Sequence, residues 1–277
     1  MEKPQFFDVH THVHFAAYDK DREEVLSRAL AARTWMVNVG TQRDTSRSAI
    51  EIAKRLGEGV YATVGLHPIH TEKSHHDAKE LGADQAFTSR GEEFDFEQYK
   101  KLAEEDVVVA IGECGLDYYR LSEGTKEKQY ATLRGHIAVA HEVGKPLMIH
   151  CRNAFDDLIP LLKSERQNMF PEDPGIIHFF TGTVDHVRAL LEIGFSFSFG
   201  GVTTFTHDYD DALRFIPLEN ILSETDAPYV TPIPYRGKRN EPLYVKHVVE
   251  QIAMVRNVDF ENVRCALVDN AFRMFRF

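Results

Sequence analysis

Eight short apolar runs, each separated from the next by a stretch of helical character, constrain this chain more than any other feature. The candidate strands are Gln5–His10, Trp35–Gly40, Val60–Gly65, Val107–Glu113, Pro146–His150, Ile176–Phe179, Phe195–Phe199 and Ile221–Asp226. Most are near-continuous apolar or β-branched, as parallel strands covered on both faces must be. Helices are expected over Asp19–Arg33, Thr45–Leu56, Phe94–Glu105, Gly124–Val143, Ala154–Lys163 and Val184–Ile193. Asn153 is positioned to cap the fifth of these, and Gly194 to end the sixth. Pro242–Phe277 reads as two closing helices with Asp259 as the N-cap between them. Strands alternating with helices favour an α/β (β/α)8 TIM barrel. The length of 277 residues is that of one such barrel, so a single domain over 1–277 is expected.

The ends of the runs carry the chemistry. Five of the fourteen histidines, namely His10, His12, His67, His150 and His178, lie at the C-terminal ends of apolar runs, as do Glu113, Glu224 and Asp226. Ligands at that rim of a parallel barrel read as functional, whereas the opposite rim usually serves stability. His10 and His12 are two apart, so both point to one face of a strand and can share one cation. On the same alternation Asp8 joins that face and orients a ligand from behind. Glu113 has two oxygens and suits the centre of a binuclear site. His150 and His178 would complete a second cation site with it. Asp226 is expected to ligate the first cation and to accept a proton from the attacking water. Glu224 would hold a further cation or orient that water. Together these residues point to metal-assisted hydrolysis.

The other polar residues carry weaker signals. His67, in GLHP, is expected to hydrogen-bond a phosphate or carbonyl oxygen rather than to bind metal. Arg152, Tyr229, Arg236 and Asn240 are candidate substrate contacts, with Tyr118 and Arg120 beside them. His14 is expected to be a loop histidine near the substrate. Cys114 and Cys151 each follow a ligand directly, so they should face the helix layer as core residues. His75, His76, His136, His141, His186, His207 and His247 have no convergent partner. Two stretches interrupt the alternation. His70–Glu93 is polar and long enough to be a lid or an insertion, and the proline-rich Pro228–Asn240 follows the eighth strand as an active-site loop would.

Net charge is −11, from 32 basic against 43 acidic residues. That argues against a broad basic face gripping nucleic acid non-specifically. It leaves a nucleic acid substrate open, because bound cations supply local positive charge. Three cysteines point to a reducing compartment. MEKPQFFDVH lacks the apolar core of a signal peptide, and no run reaches membrane-spanning length. The expectation is a cytoplasmic protein with no membrane contact and no obligate protein partner.

DVHTH, GLHP, GECGLDYY, IHCR, HFFTG, SETDAPY and YRGKRNEP, in this order and spacing, closely resemble the TatD family of metal-dependent hydrolases. The ending DNAFRMF is similar to the family's as well, so the resemblance spans essentially the whole chain. It implies a TIM barrel of the amidohydrolase type and divalent-metal-dependent phosphodiester hydrolysis. Family members are described as deoxyribonucleases, several of them 3′-to-5′ exonucleases on DNA or RNA. Carried onto this chain, the family pattern places two metals, Mg, Mn or Zn, on His10, His12, Glu113, His150, His178 and Asp226. It makes Glu224 functional and gives His67 a substrate or phosphate contact. Catalysis then rests on Asp226, Glu113 and Glu224, with DNA, or RNA, as the substrate. The stretch His70–Glu93 is longer than the family's usual loop.

Three other readings compete. A small-molecule ester, amide or phosphotriester hydrolase is the first; related barrels often bridge their metals through a carbamylated lysine at the end of strand four, and Val107–Arg120 contains no lysine. An aminoacyl-tRNA deacylase is the second, weakly disfavoured by the acidic balance. The third is a metal-bound barrel that binds a partner without catalysis, disfavoured by the full ligand set.

Overall fold

The computed structural model describes residues 3–73, 75–76, 87–88, 91–119, 121–122 and 124–277. Eight parallel strands form one sheet in chain order: β1 Phe6–Thr11, β2 Thr34–Val39, β3 Val60–Val64, β4 Val108–Asp117, β5 Leu147–Arg152, β6 Gly175–Ile177, β7 Ser196–Phe199 and β8 Ile221–Ser223. A bridge from Thr11 to Ala227 brings the last strand back to the first, giving a nearly closed barrel. Between them run α1 Arg22–Ala31, α2 Arg43–Leu56, α3 Phe96–Ala103, α4 Thr125–Val143, α5 Phe155–Glu165, α6 Val184–Leu191 and α7 Asp210–Phe215, followed by α8 Val245–Arg256 and α9 Phe260–Phe275. A two-residue antiparallel pairing of His75–His76 with Phe87–Thr88 lies between β3 and α3. Within the interruption expected at His70–Glu93, residues 74, 77–86 and 89–90 fall outside the described residues, as does Arg120. No described helix is long and apolar enough to cross a membrane.

All eight strands stand where expected, with ends moved by a few residues. β4 runs four residues beyond Glu113, so Glu113 lies within a strand. β8 stops at Ser223, so Glu224 and Asp226 lie just past its end. Asn153 does not cap α5: it takes a left-handed φ of 56°, and Ala154 occupies the cap with no side-chain bond. Asp259 does cap α9, its carboxylate accepting from the Asn262 N–H at 3.1 Å.

Two apolar layers follow from the strand alternation. Phe7, Val9, Trp35, Val37, Val39, Met148, Ile176 and Leu222 pack with Val268, Ala271, Met274 and Phe275 of α9 as the inner cluster. Met36, Ala62, Val64, Cys114, Ile149, Cys151, Ile177 and Phe197 belong to the cluster shared with the surrounding helices. The two thiols therefore sit in the helix layer, as expected, and burial pushes both well above the usual thiol range. Aromatic rings crowd the N-terminal end of the barrel. Tyr61 meets Phe277 at 4.2 Å and Trp35 meets Phe272 at 5.4 Å between centroids. That plug leaves the C-terminal rim as the open end, where the strand-end histidines and carboxylates are.

β1 corrects one expectation. Asp8 pairs with Met36 but Thr11 pairs with Asn38, so β1 carries one extra residue between them. A bulge of this kind shifts the alternation by one. Val9 and His10 consequently both face inward, and Asp8 faces the helix layer with Met36. There the Asp8 carboxylate accepts from the Thr225 N–H at 2.9 Å and from the Thr225 hydroxyl at 2.5 Å. Instead of orienting a ligand ring, Asp8 ties β1 to the segment following β8 at the barrel seam.

Candidate metal centre

Seven side chains, His10, His12, His67, Glu113, His150, His178 and Asp226, converge inside the C-terminal rim. Glu113 is at their middle, and its two oxygens face different partners. Oε2 lies 3.4 Å from His10 Nε2 and 3.9 Å from His12 Nε2. Oε1 lies 2.8 Å from His178 Nε2, 3.0 Å from His150 Nδ1 and 3.1 Å from His67 Nε2. Asp226 Oδ1 closes the first group, 3.3 Å from His12 Nε2 and 3.7 Å from His10 Nε2. Among the described residues, three sets of side-chain atoms are mutually close enough to share an ion: His10 with His12 and Asp226, His10 with Glu113 and His178, and His67 with Glu113 and His150.

Backbone geometry delivers these atoms. The bulge in β1 swings His10 and His12 inward together. Asp226 has a left-handed φ of 53°, a conformation that Asp tolerates better than most residues. Its N–H donates to His10 O at 2.9 Å, which returns the chain toward β1. Gly115, two residues past Glu113, approaches β5 so closely that a Cβ there would stand 1.9 Å from His150 O. Only glycine lets β4 and β5 bring Glu113 and His150 together.

Hydrogen bonds set which ring nitrogens face inward. His12 Nδ1–H donates to Val39 O at 2.8 Å, leaving the Nε2 lone pair for the centre. His150 Nε2–H donates to Asp117 Oδ2 at 2.9 Å, leaving Nδ1 inward. His178 presents Nε2, and its Nδ1 faces Glu224 Oε1 at 3.5 Å, an ion-pair contact without a hydrogen bond. Carboxylates or carbonyls behind ligating imidazoles fix tautomer and raise basicity. His67 differs: its Nδ1 accepts from Ile69 N–H at 3.2 Å, so the proton sits on Nε2 and points at the centre. The structure thus brings His67 among the ligand atoms, closer than expected, yet in a donor state that suits an anionic oxygen.

Charge follows the same pattern. Burial alone would raise Glu113, but His67, His178 and His10 around it hold it well below the usual carboxylate range. Burial and the neighbouring His178 push His10 down to about 3. His178 is displaced the other way; burial opposes its proton, but Glu113 and Glu224 outweigh it. The fit to cations rests on donor chemistry. His10 Nε2 and His12 Nε2 are buried and 3.2 Å apart, with two carboxylate oxygens beside them. Imidazole and carboxylate donors gathered this tightly match divalent transition metals and, with added waters, Mg²⁺.

Several expected site residues have other roles. Glu224 is fully buried behind His178, and Ser198 Oγ donates to its Oε2, so it supports that ring and does not line the mouth. Asn240 is also fully buried. Its amide donates to Thr225 O at 2.8 Å and Tyr229 O at 2.7 Å, and its Oδ1 accepts from Glu241 N–H at 2.9 Å. These bonds fold the loop after β8 and leave no free group for a substrate. His14 lies in the turn after β1, as expected of a loop histidine, but is buried against Phe15, with 4.6 Å between ring centroids. Arg152, Tyr229 and Arg236 are all placed at the rim: the Tyr229 ring lies 6.3 Å from His12, Arg152 lies over Tyr119, and Arg236 lies over Phe205. His136, expected to be without a functional partner, is a buried tie. Its Nε2 accepts from Leu66 N–H at 2.9 Å and its Nδ1–H donates to Thr132 O at 2.7 Å. The sequence reading missed Asp117 and Ser198. Asp117 is four residues past Glu113, a same-face spacing on an extended strand, and that was its only signal.

Comparison with known proteins agrees with this geometry. The TatD related DNase family pattern matches residues 7–276. A Bacillus subtilis protein named as the uncharacterized metal-dependent hydrolase YabD is 38% identical over 273 residues, 98% of each chain. The 3′-5′ ssDNA/RNA exonuclease TatD of Pantoea ananatis is 34% identical over 281 residues, covering 97% of this chain and 98% of that one. The crystal structure of YjjV, a TatD homolog from Escherichia coli, superimposes with a TM-score of 0.83 at 25% identity, over 99% of this chain and 98% of that one.

Proposed function

The chain belongs to the TatD related DNase family and is a metal-dependent hydrolase, and from that premise we propose that it shortens single-stranded DNA, and RNA, from the 3′ end. The activity named for the Pantoea ananatis relative supports the substrate. The observation that carries the mechanism is Glu113, whose two oxygens face separate histidine groups. A carboxylate so placed suits two divalent cations, Mg²⁺, Mn²⁺ or Zn²⁺: one with His10, His12 and Asp226, the other with His150 and His178. When bound, such ions polarise a phosphoryl oxygen and make a water more acidic.

The chain's own groups do the rest. Asp226 is the most open member of the centre, its side chain 18% exposed against 5% for Glu113. It is therefore the group that orients the attacking water and accepts its proton. His67 Nε2–H donates to a phosphate oxygen. Glu224 and Asp117 hold His178 and His150 in the required tautomers. Arg152, Tyr229 and Arg236 contact the strand at the rim. No lysine lies within β4 to stand in for a bridging carboxylate, which favours the phosphodiesterase over the lactone and amide hydrolases of related barrels.

The test uses 5′-labelled single-stranded DNA with metal-stripped protein, before and after adding Mg²⁺ or Mn²⁺. A ladder shortening from the 3′ end only with metal, and absent in Glu113→Ala, is expected. Turnover of a small ester or amide with intact DNA would overturn the substrate assignment.

A further inference from the structure

We propose that two exposed rings on the rim, Tyr119 and Phe205, are stacking platforms that hold unpaired bases on either side of the metal centre. This rests on the nuclease reading above and adds how a single strand is selected.

Large aromatic side chains left in water are the starting point: Tyr119 is 46% and Phe205 40% exposed. Tyr119 comes two residues after β4. Phe205 directly follows the 3-10 turn Gly201–Thr204 after β7. Both therefore stand on the C-terminal rim, the one that holds Glu113 and Asp226. In the barrel order, β5 and β6, which carry and precede His150 and His178, lie between them. One platform is beside the entrance from β4, the other across the mouth beside β8.

Each ring is backed by a guanidinium. Arg152, from the end of β5, lies 3.6 Å from the Tyr119 centroid. Arg236, from the loop after β8, lies 4.1 Å from the Phe205 centroid. Among the described residues neither arginine has a carboxylate within salt-bridge distance; Arg236 donates to Thr231 O at 3.1 Å, and the chain carries a net charge of −11. The pairing by itself proves nothing, because Arg188 covers Phe215 in the same way at 4.7 Å. Phe215 ends α7 and so lies toward the plugged end of the barrel, and Arg188 has Asp185 at 4.0 Å. Position, and the lack of an ion-pair partner among the described residues, separate the two rim pairs from that one.

The physical consequence is specific. A guanidinium lies against one face of each ring, and the exposure that each ring keeps leaves the other face for a base. A base on the open face completes a three-layer stack, and the guanidinium edges remain as donors to phosphate. Such stacking contributes about 1–3 kcal/mol per base and tolerates any base, because all have a π face. Bases in a duplex are already stacked on their neighbours, so the platforms select unpaired strands without reading sequence.

The test compares Tyr119→Leu and Phe205→Leu with Phe215→Leu as the control and Phe205→Trp as a ring-preserving variant. Two readouts apply. The first is quenching of 2-aminopurine placed in a single-stranded oligonucleotide and bound to metal-free protein. The second is the ratio of kcat/KM for the oligonucleotide to that for bis(4-nitrophenyl) phosphate, which has no base. Each leucine rim variant should lose quenching and lower the ratio about 5- to 150-fold, while Phe205→Trp and Phe215→Leu keep both near wild type. If the wild type shortens DNA and the rim variants match it in both readouts, the platforms are refuted and the nuclease reading stands. If the wild type neither binds nor shortens the strand, the nuclease reading fails and the platforms fail with it.

Discussion

Replacing Asp117 by asparagine should disable one metal position while changing almost no volume. Asp117 Oδ1 accepts from the Tyr119 N–H at 2.9 Å, and Oδ2 accepts from His150 Nε2–H at 2.9 Å. Asparagine has one oxygen for these two donors. If that oxygen keeps Tyr119, the amide N–H₂ faces His150 Nε2, which must then accept. The ring proton moves to Nδ1, the nitrogen that points at Glu113, and its lone pair is lost to the centre. The size of the effect follows from the pair. Burial raises Asp117, yet the bond to His150 and that ring's charge, with His67 and the Tyr119 N–H, together outweigh it and hold the carboxyl at about 2, below the usual 3.8. A shift of that size is worth roughly 2 kcal/mol, and partners behind metal ligands typically carry 10- to 100-fold in metal affinity. The dissociation constant of the more weakly held ion should therefore rise about 10- to 100-fold in Asp117→Asn. Metal titration by calorimetry, with activity followed against metal concentration, measures it. Wild-type metal affinity in Asp117→Asn would refute the tautomer argument.

Other outcomes follow from the same structure. Asp8→Ala leaves the Thr225 N–H unpaired at the barrel seam, and should lower unfolding free energy by about 1–3 kcal/mol in denaturant titrations; an unchanged midpoint would show that the seam does not depend on it. Gly115→Ala forces a Cβ onto His150 O, so it should destabilise by about 3 kcal/mol or more and weaken metal binding, whereas a stable variant with normal metal affinity would contradict the close approach of β4 and β5. His136 is fully buried and neutral, and burial lowers its pKa from 6.5 to about 4. The unfolded chain therefore binds a proton that the native one does not between those values, and stability falls as pH drops through that window by about 1.4 kcal/mol per unit at most. His136→Gln should flatten this slope in melts taken from pH 7 to pH 4, and an identical slope would assign the acid sensitivity elsewhere.

The barrel was legible because each strand is buried on both faces and reads as a continuous apolar run. The candidate ligands were legible because they interrupt those runs at one end. What the alternation could not show was the extra residue in β1. A bulge leaves no mark in the one-letter pattern, so Asp8 was placed on the face of His10 when it lies on the opposite one. Asn240 and Glu224 illustrate a second gap. Both are polar residues in suggestive places, but only the fold shows that Asn240 spends its bonds on backbone and that Glu224 stands behind His178. Asp117 was passed over for the reverse reason. Its role exists only because β5 places His150 beside it, a contact between residues 33 apart in the chain. His67 falls between the two cases: its place among the ligand atoms was not foreseen, while the donor role read from GLHP agrees with the bond from Ile69.

The central claim is that Glu113 joins two cation positions. Equilibrium dialysis of metal-stripped protein against Mn²⁺ or Zn²⁺, followed by elemental analysis, tests it most directly. The account predicts two ions per chain in the wild type and loss of both in Glu113→Ala, with the fold intact by circular dichroism. A Glu113→Ala protein that still holds two ions would contradict it.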